Sequence, residues 1–239
     1  MKLDILAVGA HPDDVEISCS GTLLHHIALG KKIGILDLTC GELGTRGNGP
    51  LRLEEAARAA QLLHASVRAN LQLPDGFFEH NQANLLEVIK MIRFFQPRIV
   101  LANSITDRHP DHGKAAKLVA DACFYAGLPK IQTTWDTGAP QQAWRPEAVY
   151  HYIQDYNLKP DFVVDISAYM EKKLEVILCF RSQFYDPNST EPQTPISGKD
   201  FLDFLRGKAK AYGRAAGFEY AEGFNVNRSI GVTNLFDLR

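Results

Sequence analysis

Cysteine is scarce in this chain, with four residues at positions 19, 40, 123 and 179 of 239. None forms a CxxC pair and each sits among apolar or small neighbours, so we expect four buried free thiols. Charge of one sign is missing too: 26 basic side chains face 28 acidic ones, a formal charge of −2. That balance disfavours nucleic acid and anionic membrane surfaces as partners and leaves a small molecule. No apolar run reaches the length of a membrane span; the longest are strand-sized. The N-terminus lacks a secretory pattern, having neither a basic start with a long apolar core nor a small-residue cleavage site, which predicts a cytoplasmic protein.

What is present is ordinary globular composition, 45% hydrophobic and 23% charged, in a length that suits one large α/β domain. The first half alternates strand and helix signals. Leu3–Gly9, Ile33–Thr39, Val67–Leu73 and Arg98–Ala102 read as strands, the first as one covered on both faces and the third with the weaker apolar signal. Helical spacing follows each of them, first from Glu16 to Leu29 and then through Leu53–Leu63, Leu85–Ile92 and Ala115–Ala122. This order predicts an α/β, Rossmann-like three-layer sandwich with a mostly parallel sheet, its active site at the carboxyl ends of the strands. Residues 1–239 are read as one domain, with a βα core over 1–126 and further elements over 127–239. In the second part, 130–146 is expected as a surface loop or lid, with strands at Ala148–Gln154 and Phe162–Ile166. Helices are expected at Tyr169–Phe180 and from Ser197 to Arg214.

Two clusters carry the chemistry. His11-Pro12-Asp13-Asp14 follows the first apolar run, and His109-Pro110-Asp111-His112 follows the fourth. Both therefore fall at the same edge of the predicted sheet. His11 and Asp14 can share one cation across a strand-to-helix turn, and His112 can add a third ligand. Two imidazoles and a carboxylate suit zinc (one Zn2+ per chain) and leave a fourth position for water, whose pKa zinc lowers to about 7. Asp13, beside a ligand but aimed at that water, can take its proton. His109, when protonated, can stabilise an oxyanion or give a proton to the leaving amine. Asp111 can fix an imidazole, of His109 or of another residue. The plainer alternative makes Asp13, Asp14 and Asp111 helix N-caps beside N1 prolines.

The stretch Ala10–Glu16 together with His109–His112 resembles the PIG-L (LmbE-like) family of zinc-dependent N-acetylglucosamine deacetylases, and the resemblance runs along most of the chain. It implies zinc on His11, Asp14 and His112, a general base at Asp13, and an acid or oxyanion partner at His109. It also implies substrate contacts from Arg52 and from Asp75 in the Asp-Gly loop. Read without it, Arg52 could instead pair with Glu54 or Glu55, and Asp75 could be a simple turn residue. Arg46, in the glycine-rich stretch Gly41–Gly47, is a further substrate candidate. Where some sugar-thiol members carry tyrosine, two positions before His109, this chain has Asp107, so any additional oxyanion donor must come from elsewhere, with Tyr185 and Arg145 as candidates. His25, His26, His64, His80 and His151 are read as structural.

Segments 182–188 and 194–201 are most similar to the bacillithiol-biosynthesis branch. That likeness implies N-acetylglucosaminyl malate as substrate, acetate and glucosaminyl malate as products, and a cytoplasmic, trimer-based homo-oligomer, a hexamer in characterised relatives. Two rival readings of the ligand set remain: a non-haem iron oxygenase built on a two-His, one-carboxylate triad, and a noncatalytic sugar-binding protein.

Overall fold

The structure is a computed structural model and describes residues 1–135 and 137–237. Among these residues seven strands form one sheet in the order β3-β2-β1-β4-β5-β7-β6. They are β1 (Ile5–Gly9), β2 (Ile33–Thr39), β3 (Val67–Leu73), β4 (Ile99–Ala102), β5 (Ala148–Tyr152), β6 (Phe162–Asp165) and β7 (Ala221–Asn225). The first five run parallel, while β7 pairs antiparallel with both β5 and β6. The expected α/β sandwich is therefore present. β7 was not anticipated, because Ala-Glu-Gly-Phe-Asn has too few apolar residues to read as a strand.

Among the described residues six α-helices cover the sheet: α1 (Asp14–Ala28), α2 (Gly49–Leu63), α3 (Gln82–Phe95), α4 (Pro110–Ala126), α5 (Met170–Ile177) and α6 (Lys199–Ala216). Side chains along β1 alternate between two cores, as the period of two requires. Ile5 and Ala7 pack toward α1, α2, α5 and α6, whereas Leu6 and Val8 pack toward α3 and α4. Burial on both faces is what makes β1 read as an unbroken apolar run. The winding of the sheet reverses between β1 and β4, since β2 lies on one side of β1 and β4 on the other while all three run parallel. A crevice opens at such a switch point, and the His11 and His109 clusters sit there.

Two buried charge clusters lock α1 in place. Arg68 on β3 grips Asp37 on β2 through Nε and Nη2 (2.7 and 2.9 Å) and also reaches Glu16. Glu16, the last residue of the first motif, is thus structural. Replacing Arg68 with Met would strand two buried carboxylates and is expected to cost about 3–5 kcal/mol, read as a lower urea midpoint; an unchanged midpoint would refute this. In the second cluster, Glu222 on β7 accepts hydrogen bonds from the Gly21 and Thr22 N–H groups of α1 (3.0 and 2.7 Å) and pairs with buried Lys173 (2.6 Å).

The stretch 130–146 is not a lid. Arg93 of α3 donates to the carbonyl of Ile131 and to Thr133 Oγ1, both at 2.8 Å, and Trp144 Nε1 donates to the carbonyl of Pro97. These bonds pin the stretch beside α3 and α4, away from the crevice; Asp136 lies outside the described residues. The crevice is covered instead by Gln183, by Thr194–Ile196 and by the start of α6. All four cysteines are free, but Cys40 and Cys179 are only partly buried, unlike Cys19 and Cys123.

Candidate metal centre

A cavity of about 310 Å³ opens at the switch point and is lined by His11, Asp13, Asp14, His109 and His112. Asp14 stands at its centre. Its Oδ1 lies 3.1 Å from His112 Nε2 and its Oδ2 lies 3.6 Å from His11 Nδ1. These separations bracket the spacing of two ligands on one tetrahedral zinc ion, roughly 3.3 Å for bonds of about 2.0 Å.

The outward nitrogens are already engaged. His11 Nε2 faces Asp75 Oδ1 at 3.1 Å and Asp111 Oδ2 at 3.3 Å, and His112 Nδ1 meets Asp107 Oδ2 at 2.5 Å. Metal-binding histidines characteristically donate their second N–H to a carboxylate, which turns the other nitrogen's lone pair inward. The donor set therefore fits a divalent cation held by His11, Asp14 and His112. The nitrogens of His11, His109 and His112 also lie within 4.8 Å of one another. His109, however, caps α4, its Nδ1 accepting the Asp111 N–H at 3.2 Å. The neutral ring must then carry its proton on Nε2, which makes His109 a donor rather than a ligand. This refines the expected role: His109 can donate without being charged, and burial, followed by the nearby His11 and His112 charges, pulls its pKa down.

Asp13 occupies the N-cap position of α1 yet makes no capping bond, and its backbone is held in the left-handed region at φ 119°. The capping explanation therefore fails for this residue. A non-glycine residue held there stores strain, a pattern that recurs at functional sites. Burial pushes its carboxyl up to about 7 against the opposing charge of Arg52. Arg52 Nη2 lies 2.9 Å from Asp13 Oδ2, and its Nη groups also bond the carbonyls of Pro12 and Gly41. Gly41 (φ +64°) is required here, since a Cβ would collide with the Arg52 guanidinium. Arg52 lines the cavity as expected, but it serves Asp13 and pairs with neither Glu54 nor Glu55. Glu55 instead accepts from Ser182 N and Oγ.

Asp111 turns out to hold His11, not His109; its Oδ2 also accepts the Gly76 N–H at 2.9 Å, and Lys114 pairs with its Oδ1 at 2.6 Å. Asp75 lines the cavity, with Oδ2 accepting the Leu43 N–H at 2.9 Å. Arg46 corrects the sequence reading. It is buried and turned away from the cavity onto Ser189, tying the rim loop to the 182–191 stretch. Tyr185 and Arg145 are likewise elsewhere, the latter stacked on Phe124. The five remaining histidines stay outside the cavity lining.

Sequence reasoning missed Asn103 and Gln154. Asn103 Nδ2 donates to Asp14 Oδ2 (2.9 Å) and Gln154 Nε2 to Asp14 Oδ1 (3.0 Å), so the carboxylate cannot rotate. Both directly follow or end predicted strands at the active edge, and that position was the available signal. Among the ionisable groups, burial would depress His11 and His112, but their carboxylate partners win. His11 is held well above its ordinary value and His112 rises to about 9. Burial opposes ionisation of Asp14, yet the two rings hold it well below the usual carboxylate range.

A doubly wound sheet whose switch point gathers three imidazoles, the Asp14 carboxylate and an Asp13 carboxylate paired with Arg52 has the layout of a metal-site α/β enzyme. Residues 6–123 match the family described as PIG-L: GlcNAc-PI de-N-acetylase. A diacetylchitobiose deacetylase of Thermococcus kodakarensis is 32% identical over 230 residues, covering 92% of this chain and 81% of that protein. The chain belongs to the PIG-L family and is by class an amide-cleaving hydrolase. The crystal structure of a conserved protein from Thermus thermophilus superposes with a TM-score of 0.84 at 32% identity, covering 98% of both chains. A 4-oxalmesaconate hydratase of Pseudomonas putida is 28% identical over 198 residues, 74% of this chain and 73% of that protein. No helix among the described residues is long and apolar enough to cross a membrane.

Proposed function

We propose that the protein removes the acetyl group from an N-acetylglucosamine conjugate, with zinc on His11, Asp14 and His112. The observation that carries this reading is the pairing of Asp13, a carboxylate that caps nothing, with His109, whose proton is fixed on Nε2. A zinc ion bound there supplies Lewis acidity and a water that ionises near neutral pH. Asp13, oriented by Arg52, takes the proton as water attacks the acetamide carbonyl. His109 Nε2–H donates to the oxygen on which negative charge develops. The proton held on Asp13 passes to the departing nitrogen, so that acetate and a free amine leave. Asp111, with Asp75, keeps His11 turned toward the site throughout.

For the substrate we propose N-acetylglucosaminyl malate, the bacillithiol precursor. The stretches whose sequence resembles that branch contribute Gln183, Thr194, Pro195, Ile196 and Phe201 to the cavity wall. A cytoplasmic, trimer-based assembly follows from the same resemblance. At the cavity mouth Arg108 donates through Nε to Asp155 (2.9 Å), and among the described residues its Nη groups have no protein partner. They suit a carboxylate on the aglycone. Arg108→Ala is therefore expected to raise KM for the malate conjugate roughly 10-fold and to leave plain N-acetylglucosamine unaffected; equal effects on both would refute the assignment.

The test is acetate release by zinc-loaded protein from N-acetylglucosaminyl malate, N-acetylglucosamine and an acetylated sugar-thiol. Comparable turnover of all three would remove the malate assignment and keep the deacetylase. No acetate from any of them, with hydration of 4-oxalmesaconate instead, would place the chain with its hydratase relative.

A further inference from the structure

We propose that Asp107 is the positioning residue that sets the tautomer of His112, and that the chain beyond β5 holds it in place to do so. The inference rests on His112 being a metal ligand. Asp107 has a side chain only 1% exposed, and its two oxygens have separate duties. Oδ1 accepts the backbone N–H groups of Asp155 and Tyr156, both at 2.9 Å. Oδ2 faces His112 Nδ1 at 2.5 Å. An ionised carboxylate has no hydrogen to give, so the proton of this contact belongs to His112 Nδ1. When the ring gives up its other proton to a cation, the lone pair is therefore left on Nε2, the nitrogen turned toward Asp14.

The loop that fixes Asp107 is itself held. Lys208 of α6 donates from Nζ to the carbonyls of Gln154, Asp155 (3.3 Å) and Tyr156 (3.0 Å). Gln154, in the same loop, donates to Asp14 Oδ1 at 3.0 Å. One short segment therefore orients two of the three ligands, and Asp107 is its link to the second motif.

Substitution by asparagine separates tautomer control from mere packing. In Asp107→Asn the amide oxygen keeps the two backbone N–H groups, which turns the NH2 group toward His112 Nδ1. That nitrogen must then accept, the proton moves to Nε2, and the inward lone pair is lost. In Asp107→Ala water can meet Nδ1 and either tautomer is available. Zinc affinity, measured by competition with a chromophoric chelator, is expected to fall in the order wild type, Ala, Asn, with the Asn variant about 10- to 100-fold weaker than wild type. Thermal stability of the metal-free variants should run the other way, Asn above Ala, because Asn retains the loop bonds. At saturating zinc the KM for the acetylated sugar should be unchanged.

Zinc binding by the Asn variant as tight as by the Ala variant would overturn the proposal, as would two affinities that merely track stability. His112→Ala, titrated alongside, distinguishes the failures. If it loses zinc while the Asn variant does not, only the role of Asp107 falls. If it binds zinc like wild type, the ligand assignment falls as well.

Discussion

Asp13→Asn is expected to lower kcat by about 10²–10⁴-fold, the usual worth of a positioned general base, with zinc affinity left close to wild type. The structure favours asparagine for this test. Asp13 sits at φ 119°, in the left-handed region, where asparagine is tolerated far better than alanine. No capping bond is lost, since the side chain makes none. The amide oxygen can still accept from Arg52, so the guanidinium keeps a partner and the local backbone should hold. Activity and metal content therefore become separable readouts: acetate release by steady-state kinetics, zinc by elemental analysis of the dialysed protein. Turnover within a few-fold of wild type would mean that another group takes the proton. Loss of zinc together with activity would mean that Asp13 belongs to the ligand set.

The second large effect concerns protons displaced by the metal. In the metal-free protein burial opposes but the carboxylate partners hold His11 above its ordinary value, and His112 is raised to about 9, so the His112 ring carries its second proton at pH 7.5. A cation needs the inward lone pairs, so zinc binding should expel at least the extra proton of His112, and apparent affinity should fall roughly tenfold per unit fall in pH for each proton displaced. Calorimetry in buffers of different ionisation enthalpy measures this directly, and a count near zero would refute the raised imidazoles. Stability follows with a definite sign. A raised folded pKa gives His112 a contribution that is fully present below its unfolded value of 6.5 and is lost as pH rises through about 9. Asp13, raised from 3.8 to about 7, is costly to ionise in the fold and adds a decline between those values. Metal-free protein should therefore melt progressively lower from pH 6.5 to 9. The zinc form, with its rings already neutral, should hardly change over that window.

The parts of the site that could be read in advance are those whose chemistry is local. The convergence of His11, Asp14 and His112 could be read from residue type at strand ends, and β1 from its unbroken apolar run. What escaped is whatever depends on a partner distant in the chain. Asp107 looked like a departure from a tyrosine pattern, and only the fold brings it against Asp155 and Tyr156, nearly fifty residues on. Asp111 was expected to steady an imidazole, but which one was decided by the pairing of β1 with β4, which brings His11 across. Arg46 went the other way because a glycine-rich loop does not encode the direction of its side chains, and Ser189 and Gln183 determined it here. The choice between surface loop and lid for 130–146 was open for a similar reason. Polarity and proline mark a segment as irregular but not which face it covers, and the carbonyls of Ile131 and Leu128 were claimed by buried Arg93.

The anchoring of α1 by Glu222 bears on how the enzyme comes into being during synthesis. The helix that begins with Asp14 leaves the ribosome early, but the carboxylate that grips its middle turn emerges some two hundred residues later. Until then Gly21 and Thr22 lack their partner and buried Lys173 lacks its counter-ion. The His11 motif must wait, incompletely braced, until β7 has been made, so the site reaches its folded form only after the whole stretch from α1 through β7 has been translated.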